Sequence, residues 1–183
     1  MEFFSEQFFM EQASLIPILE MQEYSRVRDS SDGAKFDIFL SYNIKDEKVV
    51  RAIYYVLKKK GLNVYLDTII DPSLKRTNCD KETAKIIHNR LINSKSLLYA
   101  QSPSAGESNW MPWELGVVDG HSHKCFIMPV TANAQQVTPR REYLSLYPYV
   151  KPDINNVMKI ITEGEGSNQI KIDYVQYIRN LPY

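Results

Sequence analysis

The chain has 183 residues, 44% hydrophobic and 24% charged, the balance of an ordinary folded domain with room for a substantial core. Its 22 Lys and Arg offset 22 Asp and Glu, so no whole-molecule field draws it to nucleic acid or to an anionic membrane. Cys79 and Cys125 match no metal-ligand or redox spacing, which excludes a disulfide framework, suits a reducing compartment and leaves both as packing residues.

The amino-terminal stretch is apolar, with Phe3, Phe4, Phe8, Phe9, Ile16, Ile18 and Leu19, but Glu2, Glu6, Glu11 and Gln12 break it before an export-length run forms. This pattern predicts one or two short helices packed on the domain, with self-association through the phenylalanines as the second reading. No run is long enough to span a bilayer and no lipidation or polybasic signal occurs, so a cytoplasmic protein without membrane contact is expected. Ser30-Ser31-Asp32-Gly33 reads as a linker. The expected division is a helical extension and linker over 1–34, a main domain over 35–150 and carboxyl-terminal helices over 151–183.

From Lys35 onward strands and helices alternate. Phe36 to Ser41 is a short apolar run typical of a strand covered on both faces. A helix is predicted from Asp46 to Lys60, with Val49, Ile53, Val56 and Leu57 on one stripe, three lysines at its negative end and Gly61 as the left-handed stop. Leu62 to Asp67 reads as the second strand, and Thr68 to Asp80 as a polar loop long enough to carry function. Asp80 is placed to cap a helix running through Ala84, Ile87 and Leu91, before a third strand near Lys95 to Ala100. A further helix holds Trp110 and Glu114 and is followed by a fourth strand at Cys125 to Val130. Pro148 demotes Tyr147 to Val150 to a fifth, edge strand. Amphipathic helices are predicted around Ile154 to Ile161 and Ile170 to Ile178.

This order implies an open parallel sheet with right-handed crossovers, whose ligands bind outside the carboxyl ends of the strands where strand order reverses. Ser41 and Tyr42 end the first strand, Asp67 ends the second, and the Trp110/Glu114 helix starts beyond the third, so all converge on one rim. No glycine fingerprint follows the first strand and no Walker loop is present, which disfavours a hydride-transfer dinucleotide enzyme or an NTPase.

Phe36-Asp37-Ile38-Phe39-Leu40-Ser41-Tyr42 with Asp46, Val64-Tyr65-Leu66-Asp67 before a long loop, and Ser108-x-Trp110 with Glu114-Leu115 resemble the Toll/interleukin-1 receptor (TIR) domain family over roughly Lys35 to Val150. With only short additions, the chain looks like the bacterial stand-alone type. The resemblance implies a flavodoxin-like α/β fold, a five-stranded parallel sheet with helices on both faces. It also implies one of two functions. The first is an NAD glycohydrolase or ADP-ribosyl cyclase that releases nicotinamide and ADP-ribose, or a cyclic or modified form of it. The second is a non-catalytic adaptor that assembles with other TIR domains. A nucleoside-processing glycosyltransferase on a similar sheet is a third reading, since it too uses a glutamate.

By the same resemblance Glu114 matches the catalytic glutamate, Trp110 the ring near the nicotinamide ribose, and Tyr42 and Asp67 the pocket lining, with Phe39, Ser41 and Ser108 completing the substrate-binding set. NAD is then substrate, with no separate cofactor and no metal. The implied partners are NAD, further TIR domains or copies of the chain, and a separate effector protein that responds to the product in an anti-phage system of the Thoeris kind. The chemistry suits one carboxylate: nicotinamide leaves as a good leaving group without a general acid, and positive charge develops on the sugar. Pro112 belongs in a first helical turn, which puts Glu114 near the positive end, where an anion is favoured.

Each residue also has a plainer reading. A glutamate early in a helix commonly does no more than compensate the dipole, Ser41 and Tyr42 can simply terminate a strand, and Trp113 reads as core. His121 and His123 lack ligand partners and read as surface, and Lys75 and Arg76 as solvated loop cations. Two departures from the family pattern stand out: no glycine in the long loop, and Asn43 where arginine is frequent.

Overall fold

The computed structural model describes residues 3–26, 31–74, 80–132, 141–163 and 169–183. Cys79, Lys75 and Arg76 lie outside the described residues, as does the end of the long loop.

Strands β1 (Phe4–Ser5), β2 (Ile38–Ser41), β3 (Val64–Tyr65), β4 (Leu97–Gln101), β5 (Cys125–Thr131), β6 (Tyr149–Pro152), β7 (Met158–Glu163) and β8 (Gln169–Asp173) form one sheet of order β3-β2-β4-β5-β6-β7-β8, with β1 joined to β5. The first five strands of that order run parallel. They are the expected five-stranded core. Helices α1 (Glu6–Ser14), α2 (Ile18–Arg26), α3 (Glu47–Lys59), α4 (Asp67–Ile70), α5 (Lys81–Ile92), α6 (Trp110–Ser122) and α7 (Tyr174–Asn180) complete the described elements. The chain leaves β2 toward β3 on one side and returns to β4 on the other. Right-handed crossovers therefore put α3 on one face and α5 with α6 on the opposite face.

The local signals act as chemistry requires. β2, β4 and β5 are buried at every position, as strands covered on both faces must be. Gly61 stops α3 with φ of 77°, and Asp80 caps α5 by accepting from the Thr83 amide at 2.7 Å. Ser5 caps α1 in the same way through the Phe8 amide. Phe4 and Phe9 are fully buried, with ring centroids 5.2 Å apart, so the leading phenylalanines serve the core, while Leu15, Ile18 and Leu19 are the exposed apolar residues of that segment.

The carboxyl-terminal third departs from expectation. Residues 154–161 are not a helix. Asp153 accepts from the Asn155 and Val157 amides, Asn156 takes the left-handed conformation at φ 59°, and the chain turns back from β6 into β7. Ile154, placed on the helical stripe by its spacing, is 97% exposed, whereas Met158 and Ile160 are buried with the two-residue period of a strand. The second expected helix is split: its first part is β8, antiparallel to β7, and α7 follows, seating Tyr174 against Phe126 at 5.5 Å. β6 is consequently internal and not an edge. Pro148 is tolerated just before it because its carbonyl accepts from the Ile127 amide and no N–H is needed there. The second strand shrinks to two residues, and the loop expected from Thr68 begins as α4, with Ile69 and Ile70 buried. No helix among the described residues is long and apolar enough to cross a membrane.

Candidate active site

The switch point lies between β2 and β4, and a cavity of about 810 Å³ opens at their carboxyl ends. Tyr42, Asp67, Ser108, Trp110 and Trp113 line it, with the loop residues Lys45 and Glu107 at its mouth. Two hollows flank α2: one of about 530 Å³ has no carboxylate in its lining, and one of about 620 Å³ is lined by Glu20 and Glu23, with no tryptophan.

Tyr42 follows β2 directly, is buried, and donates its phenol to Asp67 Oδ1 at 2.8 Å. The same Asp67 oxygen accepts the Thr68 amide at 2.8 Å, which fixes the start of α4 on the cavity wall. Asn43 caps the short turn Ile44–Asp46 by accepting from the Lys45 amide, and its Nδ2 donates to the Ser104 carbonyl at 2.6 Å. It ties the loop after β2 to the loop after β4 instead of offering a charge. Asp46 reinforces the tie by accepting the hydroxyls of Ser102 and Ser104. Ser108 lines the cavity and accepts the Met111 amide at 3.2 Å, so its hydroxyl also holds the first turn of α6.

Trp110 opens α6 and meets Trp113 edge to face, centroids 5.6 Å apart. Trp113 is 38% exposed and lines the cavity, so it is not the core residue its spacing implied. Glu114 sits one turn beyond Trp110, on the face that α6 turns inward with Met111 and Leu115. It belongs to the second turn and not the first, so the helix dipole acts on it less than expected. Its side chain is fully buried, and Ser41 Oγ donates to its Oε2 at 2.5 Å. The carboxylate contributes no surface to the cavity. It follows the lining residues Trp110 and Trp113 in sequence, and its donor Ser41 precedes the lining residue Tyr42.

Tyr99, paired with Ser41 across β2 and β4, has its phenol pushed well above the ordinary value. Burial does most of this, and nearby Tyr143 and Glu114 add to it, so Tyr99 stays neutral beside the carboxylate. Phe39 is not brought to the cavity. It is fully buried in β2 and stacks on Tyr65 at 4.9 Å, which makes it a core residue. His123 takes the left-handed position that ends α6, mostly exposed, with Nδ1 3.5 Å from Asp119. Among the described residues no group of three His, Cys, Asp or Glu is placed to hold a metal. Lys45, Glu107 and Trp113 are cavity residues that sequence reasoning missed. The two charges gave no signal because isolated loop charges are ordinarily solvated.

A family model for the TIR domain matches residues 38–157. The chain is 40% identical over 145 residues to the "Probable 3' cyclic ADP-D-ribose synthase ThsB'" of Bacillus cereus (strain MSX-D12), which covers 79% of this chain and 72% of that protein. It is 26% identical over 112 residues to the "Putative cyclic ADP-D-ribose synthase TIR2" of Cytobacillus dafuensis, covering 61% of this chain and 28% of that protein. A solved metazoan TIR-STING receptor from C. gigas matches 61% of this chain and 36% of its own at 19% identity, with a TM-score of 0.44, too slight a likeness to carry an argument. On the family model and the 40% relative, the chain belongs to the TIR domain family.

Proposed function

We propose that this chain cleaves NAD at the nicotinamide–ribose bond and closes the ADP-ribose into a cyclic product. The observation that carries the reading is the buried Ser41–Glu114 pair, whose sequence neighbours Tyr42 and Trp113 line an indole-walled cavity on the switch-point rim. The names of the relatives, cyclic ADP-D-ribose synthases, support it.

In the reaction the bond between the ribose carbon and the pyridine nitrogen breaks, its electron pair leaves with nicotinamide, and positive charge is left on the sugar. Glu114 as carboxylate stabilises that charge, and Ser41 holds it in place. Trp110, Trp113 and Tyr42 form an aromatic wall that limits water, so a nucleophile within the ADP-ribose itself reaches the carbon in preference to solvent. Its proton passes to Glu114. Because the carboxylate is fully buried, substrate has to gain access to it before it can react, which gives the resting protein low turnover. The same reading makes the product a signal for a separate effector protein in cytoplasmic anti-phage defence.

The test is incubation of purified protein with NAD, alone and with extract of infected cells, following nicotinamide release and the mass of the product. Release of nicotinamide with a product one water lighter than ADP-ribose is expected. Silence under both conditions refutes the reading. Complete burial of Glu114 favours one rival, a TIR–TIR adaptor in which the carboxylate is only a structural contact. That rival predicts concentration-dependent assembly with no NAD turnover.

A further inference from the structure

The substrate proposed above carries a pyrophosphate, and nothing so far meets its charge. Asn43, next to Tyr42 on the cavity wall, is uncharged and is spent on the Ser104 carbonyl and the Lys45 amide. Among the described residues lining the cavity Lys45 is the one cation, accompanied by two carboxylates, Asp67 and Glu107. Asp67 is engaged by Tyr42, which leaves Glu107 as the counter-charge of Lys45. Lys45 Nζ pairs with Glu107 Oε2 across the mouth, linking the turn after β2 to the turn before α6. A hydrogen bond and the charge of Glu107 raise the lysine's pKa above its ordinary value, so it is charged at neutral pH.

The pair is open to water: the two side chains are 62% and 59% exposed. An ion pair so placed contributes little to stability, and another anion exchanges with it readily. A pyrophosphate offers more charge and more acceptor oxygens than one carboxylate, and an ammonium serves it as a point charge with three donors.

We propose that Lys45 is the pyrophosphate-binding residue of this cavity and that Glu107 is its resident counter-ion, displaced when the dinucleotide enters. This rests on the NAD reading. Glu107 thereby sets affinity in a defined direction: it occupies Lys45 in the free protein and would repel the phosphates if it stayed. Its effect runs through Lys45, so the two residues are coupled.

The experiment is equilibrium titration of the full chain, carrying Glu114→Gln to block turnover, with NAD and with nicotinamide riboside, which has the same reactive bond and no phosphate. Lys45→Gln is expected to weaken NAD about tenfold and leave the riboside unchanged. Glu107→Gln is expected to tighten NAD by about threefold, and the double variant to match Lys45→Gln. NAD affinity in the Lys45 variant should also depend less on salt. Equal NAD affinity with and without Lys45 overturns the proposal. So does equal weakening by Lys45→Gln and Glu107→Gln with matched losses in melting temperature, since that is the signature of a purely structural clasp. A Glu114→Gln parent that binds neither ligand, both alone and with extract of infected cells, defeats the NAD reading itself, an outcome separate from a parent that binds NAD regardless of Lys45.

Discussion

Ser41 Oγ donates to Glu114 Oε2 at 2.5 Å across 73 residues of sequence, and both side chains are fully buried. The contact joins the end of β2 to the second turn of α6, the two elements that bracket the rim cavity. A buried carboxylate needs donors, because losing water costs several kcal/mol that only hydrogen bonds or charges return. Ser41 is therefore part of the condition for having Glu114 in this place at all.

Replacing Ser41 by Ala should destabilise the chain by about 1–3 kcal/mol, the usual cost of stripping a donor from a buried acceptor. Nicotinamide release should fall with it, and Ser41→Thr should restore both. Urea unfolding and NAD turnover measured on the same samples check this. An alanine variant with unchanged unfolding midpoint and unchanged turnover refutes it.

Glu114→Gln keeps the shape and still accepts from Ser41, so the unfolding midpoint should stay close to that of the parent. Turnover should drop by at least about a hundredfold, because an amide cannot stabilise a developing cation as a carboxylate does. Full activity in the glutamine variant would show that another group carries the chemistry.

The two indoles should differ. Trp110 is half-buried one turn before Glu114, and its removal should raise KM for NAD about tenfold through lost stacking and packing. Trp113 is more exposed, and its alanine variant should raise KM less. Steady-state kinetics on both variants decides the matter, and the reverse order would place the ribose against Trp113.

Arg90, buried, and Asp71, partly buried, form an ion pair with Nε–Oδ2 at 3.0 Å and Nη2–Oδ1 at 3.1 Å, while Arg90 Nη1 donates to the Ser31 carbonyl. Asp71 also accepts the Tyr65 phenol at 3.0 Å. This network clamps the end of α4, and with it the cavity wall, onto α5. Arg90→Met alone should cost about 2–3 kcal/mol by leaving a partly buried carboxylate without its cation. Arg90→Met with Asp71→Leu should recover much of that loss, as read from chemical denaturation.

Stability should decline at alkaline pH. Burial, aided by Asp119, pushes the Cys125 thiol from 9.0 up to about 12, and burial, aided by Tyr55, pushes the Tyr54 phenol from 10.0 up to about 12. Both hold their protons more tightly folded than unfolded. Their contributions are complete below the unfolded values of 9.0 and 10.0 and are lost as pH rises toward about 12. The urea midpoint should therefore fall above about pH 9, and Cys125→Ala should move the onset toward about pH 10. A flat profile between those values and about pH 12 contradicts it.

Several elements were legible because one local signal spoke for each. The uninterrupted apolar runs at β2, β4 and β5 fit only strands covered on both faces, and Asp80 and Gly61 mark the start of α5 and the end of α3 by capping chemistry that needs no distant partner. The carboxyl-terminal third misled because Ile154, Val157 and Ile161 recur at helical spacing, while Met158 and Ile160 of the same stretch alternate as in a strand. The choice fell to the Asp153 turn and to the open side of β6, which needed a neighbour.

The sequence alone determined the α/β order, the family motif, and the meeting of Ser41, Tyr42, Asp67 and the start of α6 at one rim, since strand order and helix phase follow from local periodicity. Only the tertiary structure decided that Phe39 is core, that Trp113 faces the cavity, that Glu114 is fully buried and paired with Ser41, and that Lys45 meets Glu107 across its mouth. Those facts are contacts between residues dozens of positions apart. They depend on how helices settle on the sheet and which polar atoms lose their water, and no local pattern encodes that.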